Sequence, residues 1–415
     1  MNRFTFTKGL AAFALSLFAL STGVAQERFI TISGTVMDNQ TKKRVEAANI
    51  TIPNTNIGTI TNTDGHFTIK VNDSLGATQL LVSHVGYANA LMTIGKTSQN
   101  GLKIFLTPNP YSLAEVTIHG GDARDLVLDA VSKIADNYDN ANSMLTGFYR
   151  EIIQKRRHYV NVTEAIVGVS KSPYSKDINN DRTHIYKGRK LIDQKRGDTL
   201  AIKLLGGPVG TVYLDIVKNR NFMFDRREID NYTFTYGSVV SIDNRNHYAI
   251  AFEPRLLADY ALFCGTLYID EATHTISRAE VSVANSDLQK AEREMLRKKP
   301  AGVRFDLNSM NYVVSYRQHN GRSYLYYVRS DMRFRCDWRK RLFHTNYAVV
   351  SEMVTTDRND FNPASTNNKY AFKQNQALSD RVSDFYDADF WGSYNIIEPT
   401  ESLENAIGRL KKQQQ

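Results

Sequence analysis

Short runs of alternating apolar and polar residues, separated by turn residues, fill the segment from Ile32 to Tyr87. This alternation is typical of strands that bury one face. Thr63-Asp64-Gly65 separates two of the runs, and Asp-Gly in this position is a strong hairpin signal. Leu80-Leu81-Val82 is continuously apolar, as expected for a central strand. The pattern therefore predicts a small β-sandwich.

The pattern changes after residue 121. Apolar residues between Ala123 and Ile134 recur three and four positions apart, which predicts an amphipathic helix that Asp122 can cap. Alternating runs with short turns follow, including the hairpin signal Asn320-Gly321, and they predict an antiparallel meander. The predicted strands are Phe148–Lys155, His158–Ser170, Tyr232–Ile242, His247–Phe252, Leu262–Asp270, Thr275–Val283, Tyr312–Arg317, Ser323–Asp337 and Tyr347–Thr355.

Three further helices are predicted. Two short ones lie within the meander, at Thr199–Leu205 and at Asp287–Arg297, where a capping-box pattern begins the second. The last, Leu403–Lys411, has acidic residues near its start and basic residues near its end, as the helix dipole favours. The glycine-rich segment Gly206–Gly210 lacks the lysine of a phosphate-binding loop, and we interpret it as a plain loop.

Residues 1–25 have the pattern of an export signal rather than of folded structure. Arg3 and Lys8 make the start positive, and the apolar run Leu10–Leu20 is too short to span a membrane. Small residues end at Ala25, after which we expect cleavage. We therefore expect a protein of the periplasm or the outer membrane that is soluble and has no transmembrane segment in its mature form.

Five motifs occur in order between Arg28 and Thr107. They are Ile32–Val36 with Asp38, Ala48-Asn49-Ile50, Gly58-Thr59 with Thr61, Asp64-Gly65-x-Phe67, and Val85-Gly86-Tyr87. In this order they resemble the carboxypeptidase regulatory-like domain, which is common in envelope proteins of Bacteroidetes-type bacteria. The resemblance implies a transthyretin-like sandwich of seven strands. The zinc-binding His-x-x-Glu motif of the peptidases does not occur in the sequence, so peptidase chemistry is not expected.

A second resemblance concerns the meander. Gly265–Asp270, with Thr273 and Ile276 after it and an alternating strand around Ile250 before it, resembles part of the periplasmic lipoprotein-carrier superfamily. Those proteins are half-open antiparallel barrels wrapped over helices, with an apolar cavity. We therefore expect a mostly β protein. Its expected divisions are a signal peptide (1–25), a carboxypeptidase regulatory-like β-sandwich (26–108), a linker (109–121), an antiparallel half-barrel-like α+β domain (122–356) and a C-terminal extension with a terminal helix (357–415).

No motif for catalysis or for a cofactor stands out. The 9 histidines include no pair at i, i+2 or i, i+4, the spacings that often mark a metal site. Nucleophile-elbow, Walker A and dinucleotide-binding glycine motifs are absent from the sequence. We expect a protein that is not an enzyme and that carries no cofactor or metal. Carboxylates from distant strands can still converge, so a hydrolase stays open as an alternative.

Cys264 and Cys336 are the two cysteines, and both fall in predicted strands. In an oxidising compartment they could form a disulfide if those strands are neighbours. Two buried thiols are the favoured alternative.

Tyrosines are concentrated in one predicted strand, at Tyr324, Tyr326 and Tyr327. Such aromatic residues usually belong to a core. Because adjacent residues of a strand point to opposite faces, one of Tyr326 and Tyr327 is expected outside the core. In a half-barrel that face could line a groove for an acyl chain or a glycan, so the three tyrosines are the candidate groove residues.

The formal net charge is +9, and basic residues are densest at Lys155–Arg157, Arg293–Lys299 and Arg339–Arg341. Nucleic acid is not an expected partner of an exported protein. Solvated loop rims are the ordinary explanation of such groups, and contact with anionic lipid or glycan is the alternative.

These features favour an exported, non-enzymatic cell-envelope protein. Its expected partner is a hydrophobic ligand, a lipid or lipidated protein, or an envelope protein bound through the N-terminal sandwich. A glycan-binding or surface-assembly module is the first alternative, and a hydrolase with an unrecognised site is the second.

Overall fold

The computed structural model describes residues 28–109, 121–193, 203–220, 224–296, 302–339, 343–360, 371–384 and 390–414. The expected signal peptide and most of the expected linker lie outside these residues.

The N-terminal sandwich has seven strands: β1 (Phe29–Asp38), β2 (Asn49–Thr51), β3 (Gly58–Ile60), β4 (His66–Asn72), β5 (Gln79–Ser83), β6 (Ala90–Thr93) and β7 (Gln99–Leu106). One sheet has the order β4-β1-β7 and the other the order β3-β2-β5-β6. Every second residue of β1 is buried, which matches the alternation in the sequence. The predicted seven-stranded sandwich is confirmed.

Eleven further strands form one large sheet: β8 (Ser143–Lys155), β9 (His158–Lys171), β10 (Arg182–Ile192), β11 (Tyr232–Ile242), β12 (Arg245–Pro254), β13 (Phe263–Asp270), β14 (Ile276–Val283), β15 (Val303–His319), β16 (Arg322–Trp338), β17 (Thr345–Asp360) and β18 (Ser383–Asp384). Their order is β11-β12-β13-β14-β15-β16-β17-β8-β9-β10-β18. Neighbours are antiparallel except β10 and β18, which are parallel. Because β11 and β18 do not pair with each other, the sheet is open. The predicted mostly β fold with an antiparallel, half-barrel-like second part is confirmed.

Within the described residues, six α-helices accompany the sheets: α1 (Ala123–Ser132), α2 (Ile134–Asn137), α3 (Gly207–Val212), α4 (Arg226–Ile229), α5 (Leu288–Met295) and α6 (Glu401–Gln414). The side chain of Asp122 caps α1, as predicted, by accepting a hydrogen bond from Arg124 N. Val127 and Ala130 of α1 are buried in the same core as the large sheet. The amphipathic pattern therefore packs this helix against the sheet.

The prediction for the glycine-rich segment was wrong, because Gly207–Val212 forms helix α3. Gly206 takes a left-handed conformation before the helix, and Pro208 fits its first turn because proline has no amide hydrogen to satisfy there. Thr211 and Val212 are buried. Of the helix predicted at 199–205, residues 199–202 lie outside the described residues, and residues 203–205 are not helical.

The sandwich and the large sheet meet along β3 and its preceding turn. Tyr326 OH of β16 donates to Thr59 O over 2.8 Å, and Arg317 Nη2 of β15 donates to Thr55 O over 2.9 Å. Ile60, the last residue of β3, is 1% exposed and belongs to the core of the large sheet. A Cβ added to Gly58 would lie 3.0 Å from the Tyr326 hydroxyl, so the contact is close.

The segment from Phe390 to Pro399 and helix α6 cover both units. The Asn395 side chain receives a hydrogen bond from Lys70 N (2.6 Å) and donates one to Lys70 O (3.1 Å), so its amide pairs with the edge strand β4 as a strand would. Leu403 and Leu410 of α6 pack with buried residues of β9 and β10. The C-terminal segment therefore joins the sandwich to the large sheet.

Candidate functional site

Five charged residues of alternating sign stand side by side across five neighbouring strands of the large sheet. The backbone register places each directly opposite the next, from β16 through β17, β8 and β9 to β10. We call this row the charge ladder; its members are Arg329, Glu352, Arg150, Glu164 and Arg189. Opposite charges in directly paired positions attract, so the ladder favours this strand register over its alternatives.

The side chains of the ladder are in contact as well as their backbones. Arg150 Nε donates to Glu164 Oε1 over 2.7 Å, and Arg189 Nε donates to Glu164 Oε2 over 3.0 Å. Arg329 Nη1 donates to Glu352 Oε2 over 3.3 Å. At the same end, Arg329 also lies 3.5 Å from Glu46 of the sandwich. With Glu46 included, the row has equal numbers of positive and negative side chains.

The middle of the ladder is buried under the C-terminal segment. Arg150 and Glu164 are 2% and 1% exposed. Arg150 Nη2 donates to Ile397 O over 2.7 Å, and the Arg189 guanidinium lies 4.7 Å from the centre of the Trp391 ring. These contacts satisfy the charged groups that burial would otherwise penalise.

A cleft of about 230 Å³ opens where the ladder emerges from this cover. We call it the junction cleft, because the sandwich, the large sheet and the C-terminal segment each supply a wall. Besides ladder members, residues that line it are Glu46 and Asn62 from the sandwich, Gln154 and Arg333 from the large sheet, and Thr400 and Ser402 from the C-terminal segment. Tyr159, whose hydroxyl lies 3.0 Å from Ser402 Oγ, lines the same cleft.

The electrostatics of the junction cleft are balanced. Burial alone would lower the pKa of Arg329, but Tyr327, Glu352 and Glu46 outweigh it, and the net shift is upward. Burial raises the pKa of Glu46, and Arg329 opposes this effect. The cleft therefore offers donors and acceptors in turn, without a strong excess of either charge. Such a lining suits a ligand with many hydroxyl groups.

The three candidate groove tyrosines do not line an open apolar groove. Tyr324, Tyr326 and Tyr327 are 1%, 1% and 4% exposed. In the register of β15 and β16, Tyr316 pairs with Leu325 and Ser315 with Tyr327, so Tyr326 is the extra residue of a bulge. The bulge breaks the alternation that the sequence suggested. Tyr326 donates a hydrogen bond to Thr59 of the sandwich, and Tyr327 lies against the junction cleft.

Cys264 and Cys336 are both free thiols, the first half-buried and the second buried. They lie on β13 and β16, which β14 and β15 separate. The sheet does not make these strands neighbours, which was the condition for a disulfide.

Among the described residues, no group of three or more His, Cys, Asp or Glu side chains is placed to hold a metal ion. A serine–histidine contact does occur, because His247 Nε2 lies 2.8 Å from Ser277 Oγ with Asp270 nearby. All three residues are buried, and the other ring nitrogen of His247 bonds Arg245 O. The Asp270 carboxylate instead receives the amides of the turn at Ala272 and Thr273. These contacts stabilise the β13–β14 turn.

Sequence reasoning missed the ladder. One available signal was Glu164, a carboxylate within the otherwise apolar run of β9. A charged residue in such a strand implies a buried partner. Its partners Arg150 and Arg189 lie on β8 and β10, the strands before and after β9 in the sequence. The extension of the ladder to Glu352 depends on the pairing of β8 with β17, about two hundred residues apart, and local patterns carry no information on that pairing.

Comparison with known proteins bears on both units. Residues 32–118 match the CarboxypepD_reg-like domain, so the sandwich region is a domain of this family. No curated protein sequence matches the chain.

Solved structures similar to this chain include a putative outer membrane lipoprotein-sorting protein domain from Vibrio parahaemolyticus (9% identity, 60% of this chain and 95% of that one, TM-score 0.25). Another is a LolA superfamily protein from Nitrosomonas europaea (11% identity, 57% and 95%, TM-score 0.20). A third is a putative membrane-associated protein of unknown function from Bacteroides fragilis (9% identity, 80% and 98%, TM-score 0.16). Within the described part of this chain, no helix has the length and apolar character needed to cross a membrane.

Proposed function

We propose that this chain is a non-enzymatic binding protein of the cell envelope and that it holds a hydroxyl-rich ligand, of the glycan class, in the junction cleft. The observation that carries the proposal is the cleft itself, where a balanced row of charged side chains emerges between three segments of the chain. The envelope location rests on the export pattern in residues 1–25 and on the family of the sandwich.

The lining of the junction cleft favours a polar ligand over an acyl chain. Arginine and carboxylate side chains present several hydrogen-bonding atoms each, and sugar hydroxyls can both donate and accept. Tyr159 adds a ring on which a sugar face can pack. The volume of about 230 Å³ is below the usual range for drug-sized ligands, so we expect it to hold one or two sugar units of a longer chain.

A hydrophobic or lipidated ligand, expected from the sequence, stays a prediction. The tyrosines that were its candidate groove residues are used in the core and in the contact with the sandwich. The two ligand classes are therefore to be separated by experiment.

The test uses Arg333, which lines the cleft with an exposed side chain and pairs with Asp331 two residues earlier (3.2 Å). Its matched control is Arg304, which is similarly exposed, pairs with Asp306 two residues later (3.0 Å) and does not line the cleft. The protein is screened on an array of neutral and acidic oligosaccharides, and hits are measured by titration calorimetry. We expect Arg333→Ala to weaken binding by about tenfold, the value of one good charged hydrogen bond, and Arg304→Ala to leave it unchanged.

Silence of the array, or equal losses in both variants, would contradict the proposal. Native mass spectrometry of protein taken from its own envelope fraction tests the other ligand class. A lipid that co-purifies with the protein and survives Arg333→Ala would favour the hydrophobic ligand instead.

A further inference from the structure

Several connections leave the large sheet at the same end, because neighbouring strands are antiparallel. β8 ends and β17 begins there, as the pairing of Lys155 with Tyr347 shows. β15 begins where β16 ends, since Val303 pairs with Trp338. We call this end the loop end. Its described parts are the β8–β9 turn, the β12–β13 loop, helix α5 with residue 296, and residues 339, 343 and 344 of the β16–β17 loop.

Hydrogen bonds hold these connections together. Arg156 N donates to Asn346 O over 2.7 Å, which ties the β8–β9 turn to the start of β17. Lys290 Nζ of α5 donates to Ala258 O over 2.6 Å, which ties the helix to the β12–β13 loop. The loop end is thus a fixed part of the structure.

Exposed apolar side chains are concentrated at the loop end. Leu257 is 91% exposed and Phe343 is 75% exposed, and Leu256, Tyr260 and Met295 are also exposed. Of the eight large apolar side chains that are exposed in the described residues from 121 to 414, these five lie at the loop end, and Tyr186, Ile192 and Leu205 belong to other segments. An exposed leucine is ordinary by itself, but five exposed large side chains at one end of a sheet are not.

Basic side chains lie at the same end of the sheet. Each of the three densest basic groups of the sequence has described members at the loop end, and the exposed ones are Arg156, Arg157, Arg293 and Arg339. Acidic residues are also present, at Asp259, Glu292 and Glu294. Two of them are engaged locally, because Glu294 accepts from Ala261 N and Glu292 accepts from Leu307 N. The basic side chains outnumber the acidic ones, so the surface is positive.

We propose that the loop end docks on the surface of an anionic lipid bilayer. Basic side chains are attracted to anionic headgroups, and the leucine and phenylalanine side chains between them insert at the boundary with the acyl chains. The apolar residues come from the β12–β13 loop, from helix α5 and from the β16–β17 loop. Anchors on several connections suit a fluid surface better than the face of a folded protein partner. This proposal does not depend on ligand binding in the junction cleft. It adds that the protein would be held at a membrane surface.

Sedimentation with lipid vesicles tests the proposal on the full mature chain. The probes are vesicles of phosphatidylcholine with and without phosphatidylglycerol. We expect binding to the anionic vesicles that weakens as salt is added. We expect Leu257→Ser with Phe343→Ser to weaken it by about tenfold or more, because both anchors are lost. Arg156→Glu with Arg157→Glu should weaken it by a similar factor, since each basic residue contributes about fivefold.

Matched controls come from the sandwich. Leu91→Ser removes a leucine that is 55% exposed on β6, and Lys43→Glu with Arg44→Glu reverses an adjacent exposed basic pair. Both should leave vesicle binding unchanged, and circular dichroism confirms that every variant is folded. Failure of the unaltered chain to bind anionic vesicles, or equal losses in the controls, would overturn the proposal. A loss confined to the charge reversals would also overturn it, because apolar insertion would then be absent.

Discussion

The large sheet carries two buried clusters of charged residues, and they differ in what surrounds them. The charge ladder crosses five strands and reaches the sandwich and the C-terminal segment. The second cluster, which we call the inner cluster, consists of Lys171, Asp181, Asp215 and Lys218. Both contain close pairs of opposite charge, so burial of charge does not by itself distinguish a binding site from a structural element.

The inner cluster is saturated by its own neighbours. Lys171 Nζ lies 2.8 Å from carboxylate oxygens of both Asp181 and Asp215. Asp215 also accepts from the hydroxyls of Tyr174 (3.0 Å) and Tyr316 (2.8 Å). All of these residues belong to the second unit. A ligand would have to break these bonds to bind there, whereas the ladder ends in a cleft where its polar atoms meet solvent.

The two lysines of the inner cluster respond differently to burial. Burial lowers the pKa of Lys218 to about 8, and the nearby charge of Lys171 adds to this effect. Burial also acts on Lys171, but the two carboxylates outweigh it and raise its pKa. For Asp181 the two lysines likewise outweigh burial and lower the pKa. The cluster thus keeps Lys171 and Asp181 charged.

The largest expected effect comes from breaking the inner cluster. Asp215→Asn preserves shape but removes the charge opposite Lys171, which would leave a buried cation with one carboxylate. We expect the free energy of unfolding to fall by about 3–5 kcal/mol. Urea unfolding followed by circular dichroism measures it, with the exposed Asp136→Asn as control. A loss of unfolding free energy below about 1 kcal/mol would show that Asp181 and the tyrosine hydroxyls stabilise the buried Lys171 without the charge of Asp215.

Breaking the charge ladder should have a smaller global effect and a distinct local one. Arg150→Met removes the guanidinium between Glu164 and Glu352 and should cost about 3 kcal/mol. It also removes the donors to Ile397 O and Glu398 O. We therefore expect limited proteolysis to cut the C-terminal segment of this variant before the rest of the chain unfolds.

Asp215→Asn is the control for that local effect, because the inner cluster has no hydrogen bond to the C-terminal segment among the described residues. Proteolysis could instead cut the C-terminal segment of both variants at the same rate, once their different stabilities are taken into account. The charge ladder would then hold this segment no more specifically than the inner cluster does.

Local sequence patterns predicted the elements that local chemistry controls. Helix α1 followed from its apolar spacing and from Asp122. Asp64-Gly65 forms the predicted turn, but the predicted hairpin was wrong, because the turn joins β3 and β4 across the two sheets of the sandwich. The prediction for β15 covered residues 312–317, but the strand runs from Val303 to His319. Its first half alternates weakly and is held by pairing with β16, which is a tertiary effect.

The candidate site was harder to predict than the fold, for the same reason. The ladder brings together residues from position 150 to position 352, and the cleft adds Glu46 and Ser402. Contacts between residues so far apart in the sequence follow from the strand order of the sheet, which local patterns do not predict. The three predicted tyrosines are buried, and the sequence alternation did not indicate the one-residue bulge at Tyr326 or the docked sandwich that cover them.

The opposite face of β8 carries a buried carboxyl group, Glu151. Glu151 follows Arg150 in β8 but faces the other way, and its described hydrogen bond comes from the Tyr149 hydroxyl. Burial raises its pKa from 4.5 to about 8, and Asp380 adds to the rise. The folded protein therefore holds a proton that the unfolded chain loses above pH 4.5. Stability from this group is full below that pH and is lost as pH rises through about 8.

We expect the free energy of unfolding to fall by up to about 1.4 kcal/mol per pH unit in this window because of Glu151. Glu151→Gln should remove this part of the slope, so that the variant gains about 2 kcal/mol over the unaltered protein between pH 5 and pH 6.5. Urea unfolding at several pH values measures it. The exposed Glu404→Gln is the control and should keep the slope, and an unchanged slope in Glu151→Gln would refute the assignment.

The smallest expected effect on stability concerns an uncharged hydrogen bond between the sandwich and the large sheet. It lies at the other end of the interface that the charge ladder reaches. Tyr326→Phe removes the hydroxyl that donates to Thr59 O, and we expect a loss of about 1 kcal/mol, typical of one buried hydrogen bond. Tyr186→Phe, at a half-exposed ring on β10, is the control and should change stability by less. Differential scanning calorimetry shows whether the sandwich and the large sheet still unfold in a single transition. If Arg150→Met splits the transition into two and Tyr326→Phe lowers a single one, the ladder couples the units. If only Tyr326→Phe splits it, the hydrogen bond at β3 carries that coupling instead.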